Sequence, residues 1–462
     1  MKIVNRHNEL PKSRFPTPRF LLLFLFSLTF SLFSFLLFAE DDVRLNTVKY
    51  GTETEIASLI QSLRAENEDS LDNEIIALIE NTRNQRILVG AFGFFGDREK
   101  NGLEGRALRA VEERDEETNE TVLAAIDYLG KIKSSNAAPL LRELLERNET
   151  RFMNSAFRAL GRVSGPDSRN SGDTAEYLID FYENRDPGEG NQHEVITALG
   201  ATKSSSAVEF LAGIAVNNEE RTPLRIAAVE SLAAIADPDG LDAILACISA
   251  NDPNIRSTAV GALGPFSGTA VDSAILDAFR DSFFRTRLAA AQASRQRKLA
   301  AAIPFLKFRA ERDDVPSVRE NSIRALGAIA NAEAIKILEE LFTERKNSER
   351  IRTVAAEMIM EVSPAQYLDK LVIELDDAKQ RNQTSQYNGF LKVLGGTKSA
   401  NVETVTRRLM QDKGIVEKSY ALDMAANNNL TVLADEIKSL AEDRNESLAR
   451  KARRTLDKLG IR

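Results

Sequence analysis

Residues 317–341 read SVRENSIRALGAIANAEAIKILEEL, and this stretch decides the fold. Val318, Ile323, Ala325, Leu326 and Ile329 fall at helical spacing on one face, and Ala334, Ile337, Leu338, Leu341 and Phe342 form a second apolar stripe directly after them. Two short amphipathic helices in a row make a hairpin that cannot bury its own stripe and must stack on neighbours. DDVPS at 313–317 supplies capping oxygens and a proline suited to opening the first helix. Gly327 lies inside the first run, where a left-handed residue would bend or close that helix.

The unit recurs. Leu326-Gly327 has counterparts at Phe95-Gly96, Leu129-Gly130, Leu160-Gly161, Leu199-Gly200, Ile235-Ala236, Leu263-Gly264, Leu394-Gly395 and Leu459-Gly460. Degenerate copies stand in phase at Ser294-Arg295, Ile359-Met360 and Ala425-Ala426, so the mean period is about 33 residues. No alternating strand pattern runs beside it. The fold expected is all-α, a solenoid of about 12 antiparallel helix pairs.

VRENSIRALGAIANAEAIKILEEL, together with IRSTAVGALG at 255–264 and MNSAFRALG at 153–161, resembles the HEAT-repeat superfamily, nearest its short bacterial PBS-lyase HEAT-like type. The resemblance covers residues from about 85 to 462 and implies a right-handed superhelix; its pattern speaks to fold, not to activity. The domain division expected is a targeting segment at 1–39, an N-terminal helical cap at 40–85 and the repeat array at 86–462.

Lys2, Arg6, Lys12, Arg14 and Arg19 precede LLLFLFSLTFSLFSFLLFA at 21–39, and EDD follows. A basic start before an apolar run is an export signal, with the bulk of the chain outside the cytoplasm. Two readings stay open: cleavage after Ala39, or an uncleaved inner-membrane anchor through residues 20–39. The localisation expected is the periplasm or bacterial envelope. A single cysteine, Cys247, leaves no internal disulfide, and its apolar context reads as a small buried residue.

Chemistry-bearing residues are scarce. The chain has two histidines, and His7 lies in the targeting segment. One HEAT family, the deoxyhypusine hydroxylase type, holds iron through several His-Glu pairs; here His193-Glu194 is a lone pair. No metal site and no cofactor are expected. Neither a Ser-His-acid constellation nor a GxxxxGK loop can be assembled. An unrecognised enzymatic site, or an enzyme-associated chaperone of the PBS-lyase-like type, is the alternative reading.

Charge is uneven. The chain carries a net −8, yet residues 281–462 hold 32 Lys and Arg against 26 Asp and Glu, while residues 40–280 hold 24 against 42. Arg285, Arg295, Arg297, Lys298, Lys307, Arg309 and Arg312 form the densest basic segment and are the candidate partner-binding residues. Arg256, Arg287, Arg319 and Arg352 each stand eight residues before their repeat mark, which aligns them as a structural ladder. The function expected is an exported, non-enzymatic scaffold or adaptor. It would hold protein partners, acidic ones included, over a concave surface lined by the second helices. Nucleic acid is not expected as a partner of an exported acidic chain. Membrane contact is expected only through an uncleaved N-terminal segment.

Overall fold

The structure, a computed structural model, describes residues 43–165, 171–185 and 187–461. The apolar segment 21–39 lies outside the described residues, and with it the choice between cleavage and anchoring. Among the described residues there is no strand, and no helix is long and apolar enough to cross a membrane.

The hairpin read from residues 317–341 is present. Its first helix, Pro316–Ile329, opens on proline and buries Val318, Ile323, Ala325 and Leu326. Its second, Ala332–Thr343, starts at Asn331, whose side chain accepts the Ala334 N–H at 2.8 Å, and buries Ala334, Ile337, Leu338, Leu341 and Phe342. The role expected of Gly327 is corrected. It sits inside the helix, and the left-handed residue that closes the turn is Ala330, at φ 52°. Glycine stands at 327 because the next first helix comes close: a Cβ there would lie 2.9 Å from the Met358 Cβ.

The chain forms two compact units, Met1–Arg169 and Asn170–Arg462. In the first, the first helices are Glu53–Glu66, Gln85–Asp97, Asn119–Lys131 and Met153–Val163, and the second helices Asp72–Ile79, Glu104–Glu112 and Ala138–Glu146. Glu53–Glu66 and Asp72–Ile79 both pack on Gln85–Asp97, so the stretch expected as a cap is built like the repeats beside it. The second unit opens with Ser171–Asn184 and continues through eight pairs, from Gln192–Thr202 with Val208–Val216 to Ile415–Asn427 with Ala434–Ala441; Glu446–Lys458 follows as a further first helix.

Within each unit the two helix layers differ in spacing. First helices pack closely on first helices, whereas second helices approach one another at only a few junctions. Small residues make this possible. A Cβ on Gly130 would lie 3.0 Å from the Ala159 Cα, and one on Gly200 2.8 Å from the Ser231 Cα. A stack with one tighter layer bends toward it. The inner face is therefore the first-helix layer, and the expectation of a concave surface lined by second helices is corrected.

Candidate partner-binding surface

Two of the four arginines in register, Arg256 and Arg287, make inter-repeat clamps in the second unit. Arg256 holds Asp281 through Nε at 2.8 Å and Nη2 at 3.1 Å, and also donates to the carbonyls of Ala250 and Asn251. Arg287 repeats this with Asp313, at 2.7 and 2.9 Å, and with the carbonyls of Asp281 and Ser282. Each guanidinium thus ties two carbonyls of the loop after the preceding second helix to a carboxylate ahead of the next first helix. The aspartates are doubly used: Asp281 accepts the Phe283 N–H and Asp313 the Val315 N–H, closing the turn ahead of the next first helix. Burial pushes the Asp313 carboxyl up, but the Arg287 guanidinium and the Val315 N–H hold it below the usual carboxylate range.

The ladder then changes its chemistry. Arg352 donates to the Phe342 carbonyl at 3.0 Å and to Glu374 at 2.6 Å. Arg319 has a buried Nε with no hydrogen-bond partner. Asp281 and Asp313 lie three residues ahead of their first helices, but the matching position here is Lys346, which pairs with Glu344 at 2.6 Å. Further along, Tyr387 takes the arginine's place and donates to Glu417 at 2.8 Å; its own burial and this carboxylate push its hydroxyl up to about 12. Lys418 resumes the pattern with Asp443 at 3.4 Å.

The basic segment is not one patch. Arg297 is paired with Asp272 at 2.6 Å, Lys307 with Glu340 at 2.9 Å, and Arg309 with Asp313 at 3.3 Å. Arg285, Arg295, Lys298 and Arg312 are exposed. Arg285 and Arg295 sit ten residues apart on Phe284–Arg297, about 15 Å along the axis. Lys298 caps that helix in the left-handed region, and Arg312 ends the second helix Ile303–Arg312. Arg295 and Lys298 adjoin at that helix end, the Lys298 N–H donating to the Arg295 carbonyl at 3.2 Å, whereas Arg285 stands at the helix start and Arg312 on a different helix.

The inner face carries features that the sequence reading missed. Arg324, Glu357, Lys392, Asp423 and Arg454 each stand eight residues after the start of their first helix, so they form a row of alternating sign. Arg324 meets Glu357 at 3.1 Å, and Arg350 meets Glu320 at 2.6 Å. In the first unit a chain of pairs joins Arg64, Asp97, Lys131, Asp127 and Arg162 across four first helices. Two clefts open between successive first helices. One, of about 510 Å³, lies between Glu349–Val362 and Thr384–Gly396 and is lined by Arg350, Thr353, Glu357, Lys392 and Lys398. The other, of about 490 Å³, lies between Ile415–Asn427 and Glu446–Lys458. Finding either from sequence requires helix starts in exact register, because the contributing residues are some 30 positions apart.

His193 is half exposed, with Nδ1 4.0 Å from the Glu194 carboxylate. Among the described residues no three His, Cys, Asp or Glu side chains are grouped so as to hold a metal. Cys247 is buried, its Sγ 3.3 Å from the Ala215 carbonyl, and burial pushes its thiol up.

A family profile described as Spirochaete HEAT repeat protein matches residues 48–455. The deoxyhypusine hydroxylase of Debaryomyces hansenii is 36% identical over 104 residues, which is 22% of this chain and 33% of that protein. Among solved structures, Kap121p is similar at a TM-score of 0.44 and 12% identity, over 90% of this chain and 53% of that one. Yeast importin-beta, Kap95p, is similar at 0.48 and 13% identity, over 90% and 67%. The chain thus spans a third of the curated relative and about half of Kap121p.

Proposed function

The chain belongs to the Spirochaete HEAT repeat protein family, and from that premise we propose that it is an exported, non-enzymatic scaffold of the bacterial envelope that holds protein partners on its first-helix face. One observation carries the reading. The first-helix face of the second unit opens into two clefts lined by charged side chains, each at the junction of consecutive repeats and one junction apart from the other. Such a surface offers a partner many modest contacts over a preformed scaffold, which suits binding better than bond-making. Export rests on the basic start and the apolar run at 21–39.

Photocrosslinking in intact cells tests the binding face. A benzophenone side chain at Lys392, exposed on the inner face, is expected to capture partners. One at Ile373, which is 65% exposed on the second helix Pro364–Gln380, is expected to capture none. The same adducts at both positions, or none at Lys392, overturn the assignment. An alkaline phosphatase fusion, active only outside the cytoplasm, tests export, and an inactive fusion overturns it.

A further inference from the structure

We propose that the cleft between Ile415–Asn427 and Glu446–Lys458 takes an acidic amphipathic helix of a partner protein. This rests on the inner-face reading above and gives that partner its chemistry.

Arg450, Arg454 and Lys458 recur every fourth residue along Glu446–Lys458, so they stack as a row with about 6 Å between neighbours. All three are exposed, line the cleft, and have no ion pair among the described residues. Lys451, beside them, is already answered, donating to Asp423 at 2.7 Å and to Ser419 at 2.8 Å. That bond neutralises the cleft's carboxylate and leaves the row of three in excess. The other cleft differs: its Arg350 is held by Glu320 and its Glu357 by Arg324, and its remaining Lys392 and Lys398 share the lining with a carboxylate, Glu361. Unanswered charge of one sign is therefore concentrated in the last cleft.

The occupant follows from shape and spacing. The cations stand in a concave trough between two parallel first helices, and a flat bilayer reaches such a recess poorly. A helix laid along the trough with glutamates every fourth residue matches the row one carboxylate to one cation, and the guanidinium forks of Arg450 and Arg454 suit bidentate pairing. Ile415 is 50% exposed at one end of the cleft and gives an aliphatic residue of the same helix somewhere to rest.

The test is fluorescence anisotropy of the full chain with a fluorescein-labelled helical peptide of roughly four turns, bearing glutamate every fourth residue among Leu and Ala. Saturable binding is expected, weakening at least about tenfold when the peptide's glutamates become glutamines, and again in Arg450→Glu/Arg454→Glu. It should also weaken as salt rises from about 0.05 to 0.3 M. Arg450→Ala/Arg454→Ala, which adds no charge repulsion, should lose affinity to a smaller degree with an unchanged melting profile. Binding indifferent to these substitutions overturns the proposal, as does binding to phosphatidylglycerol vesicles without binding to the peptide. If Lys392 still captures partners in cells while the peptide fails to bind, the acidic-helix assignment alone falls and the inner-face reading stands.

Discussion

Arg287 is the most enclosed rung of the ladder. Its side chain is 7% exposed and that of its partner Asp313 0%, so removing the arginine leaves a carboxylate in the interior. Arg309 at 3.3 Å and the Val315 N–H would remain as partial support. Arg287→Met is expected to cost about 3 kcal/mol in denaturant unfolding. Arg280→Met, which breaks an exposed pair with Asp277, should change stability by less than about 0.5 kcal/mol. Equal costs would mean that the rung is hydrated in solution. Arg319 makes the converse case, a ladder cation lacking its carboxylate. Lys346→Asp restores the acid three residues ahead of Glu349–Val362 and should add about 1 kcal/mol. The gain should vanish in an Arg319→Gln background; a gain that survives there belongs to the helix cap instead. The arginines were legible because all share one offset from the repeat mark. Their partners were not, because Asp281 and Asp313 lie 25 and 26 residues downstream, in loops where an aspartate reads as an ordinary turn residue.

At the scale of the helix, glycine means two opposite things in this chain. In Gln192–Thr202, a Cβ on Gly200 would meet the Ser231 Cβ at 2.7 Å and its Cα at 2.8 Å, and Ser231 is itself fixed by donating to the Ile196 carbonyl. In Val208–Val216, a Cβ on Gly213 would meet nothing within 4 Å. Alanine is the better helix former by about 1 kcal/mol at either site. Gly213→Ala should therefore stabilise by about 0.5–1 kcal/mol. Gly200→Ala should destabilise by about 1–3 kcal/mol, since the neighbouring first helix must move. Thermal melts of the two variants shifting in the same direction would contradict the close spacing of the first-helix layer. That spacing also explains how far the sequence could be read. Helix pairs and period follow from apolar stripes and a recurring small residue, which are local. Which layer faces inward depends on how near successive helices come, and that is set by side chains about 31 residues apart, such as Gly200 and Ser231. The clefts inherit the same difficulty, and the basic segment, continuous in sequence, is divided among helix ends in space.

Across the whole molecule, depressed carboxylates recur in both units. In the first, Arg114 holds Glu149 below its usual range; for Asp97 burial pushes upward, but Lys131 and Arg64 prevail. In the second, the same balance of burial against a cation lowers Asp281 and Asp313, while Asp412 is lowered chiefly by Lys379. A carboxylate whose folded pKa lies below its unfolded value of about 4 contributes stability that is complete above that value and is lost as pH falls through the folded one. Among the paired cations, Arg287 and Lys307 are raised by their carboxylates and keep their charge throughout this range. Stability should therefore hold steady toward neutral pH and fall steeply below about pH 4. Because each repeat leans only on its neighbours, weakening every rung at once should unfold the array where no single surface pair would. Arg287→Met sharpens the test. Without its cation, Asp313 loses the chief group that lowers its pKa, so the stability gap between wild type and variant should narrow as pH falls below about 4. Denaturant titrations followed by helical circular dichroism at a series of pH values measure that gap directly. A gap that stays constant into strong acid would show that Arg287 acts through packing alone, and that the ladder is not held by charge.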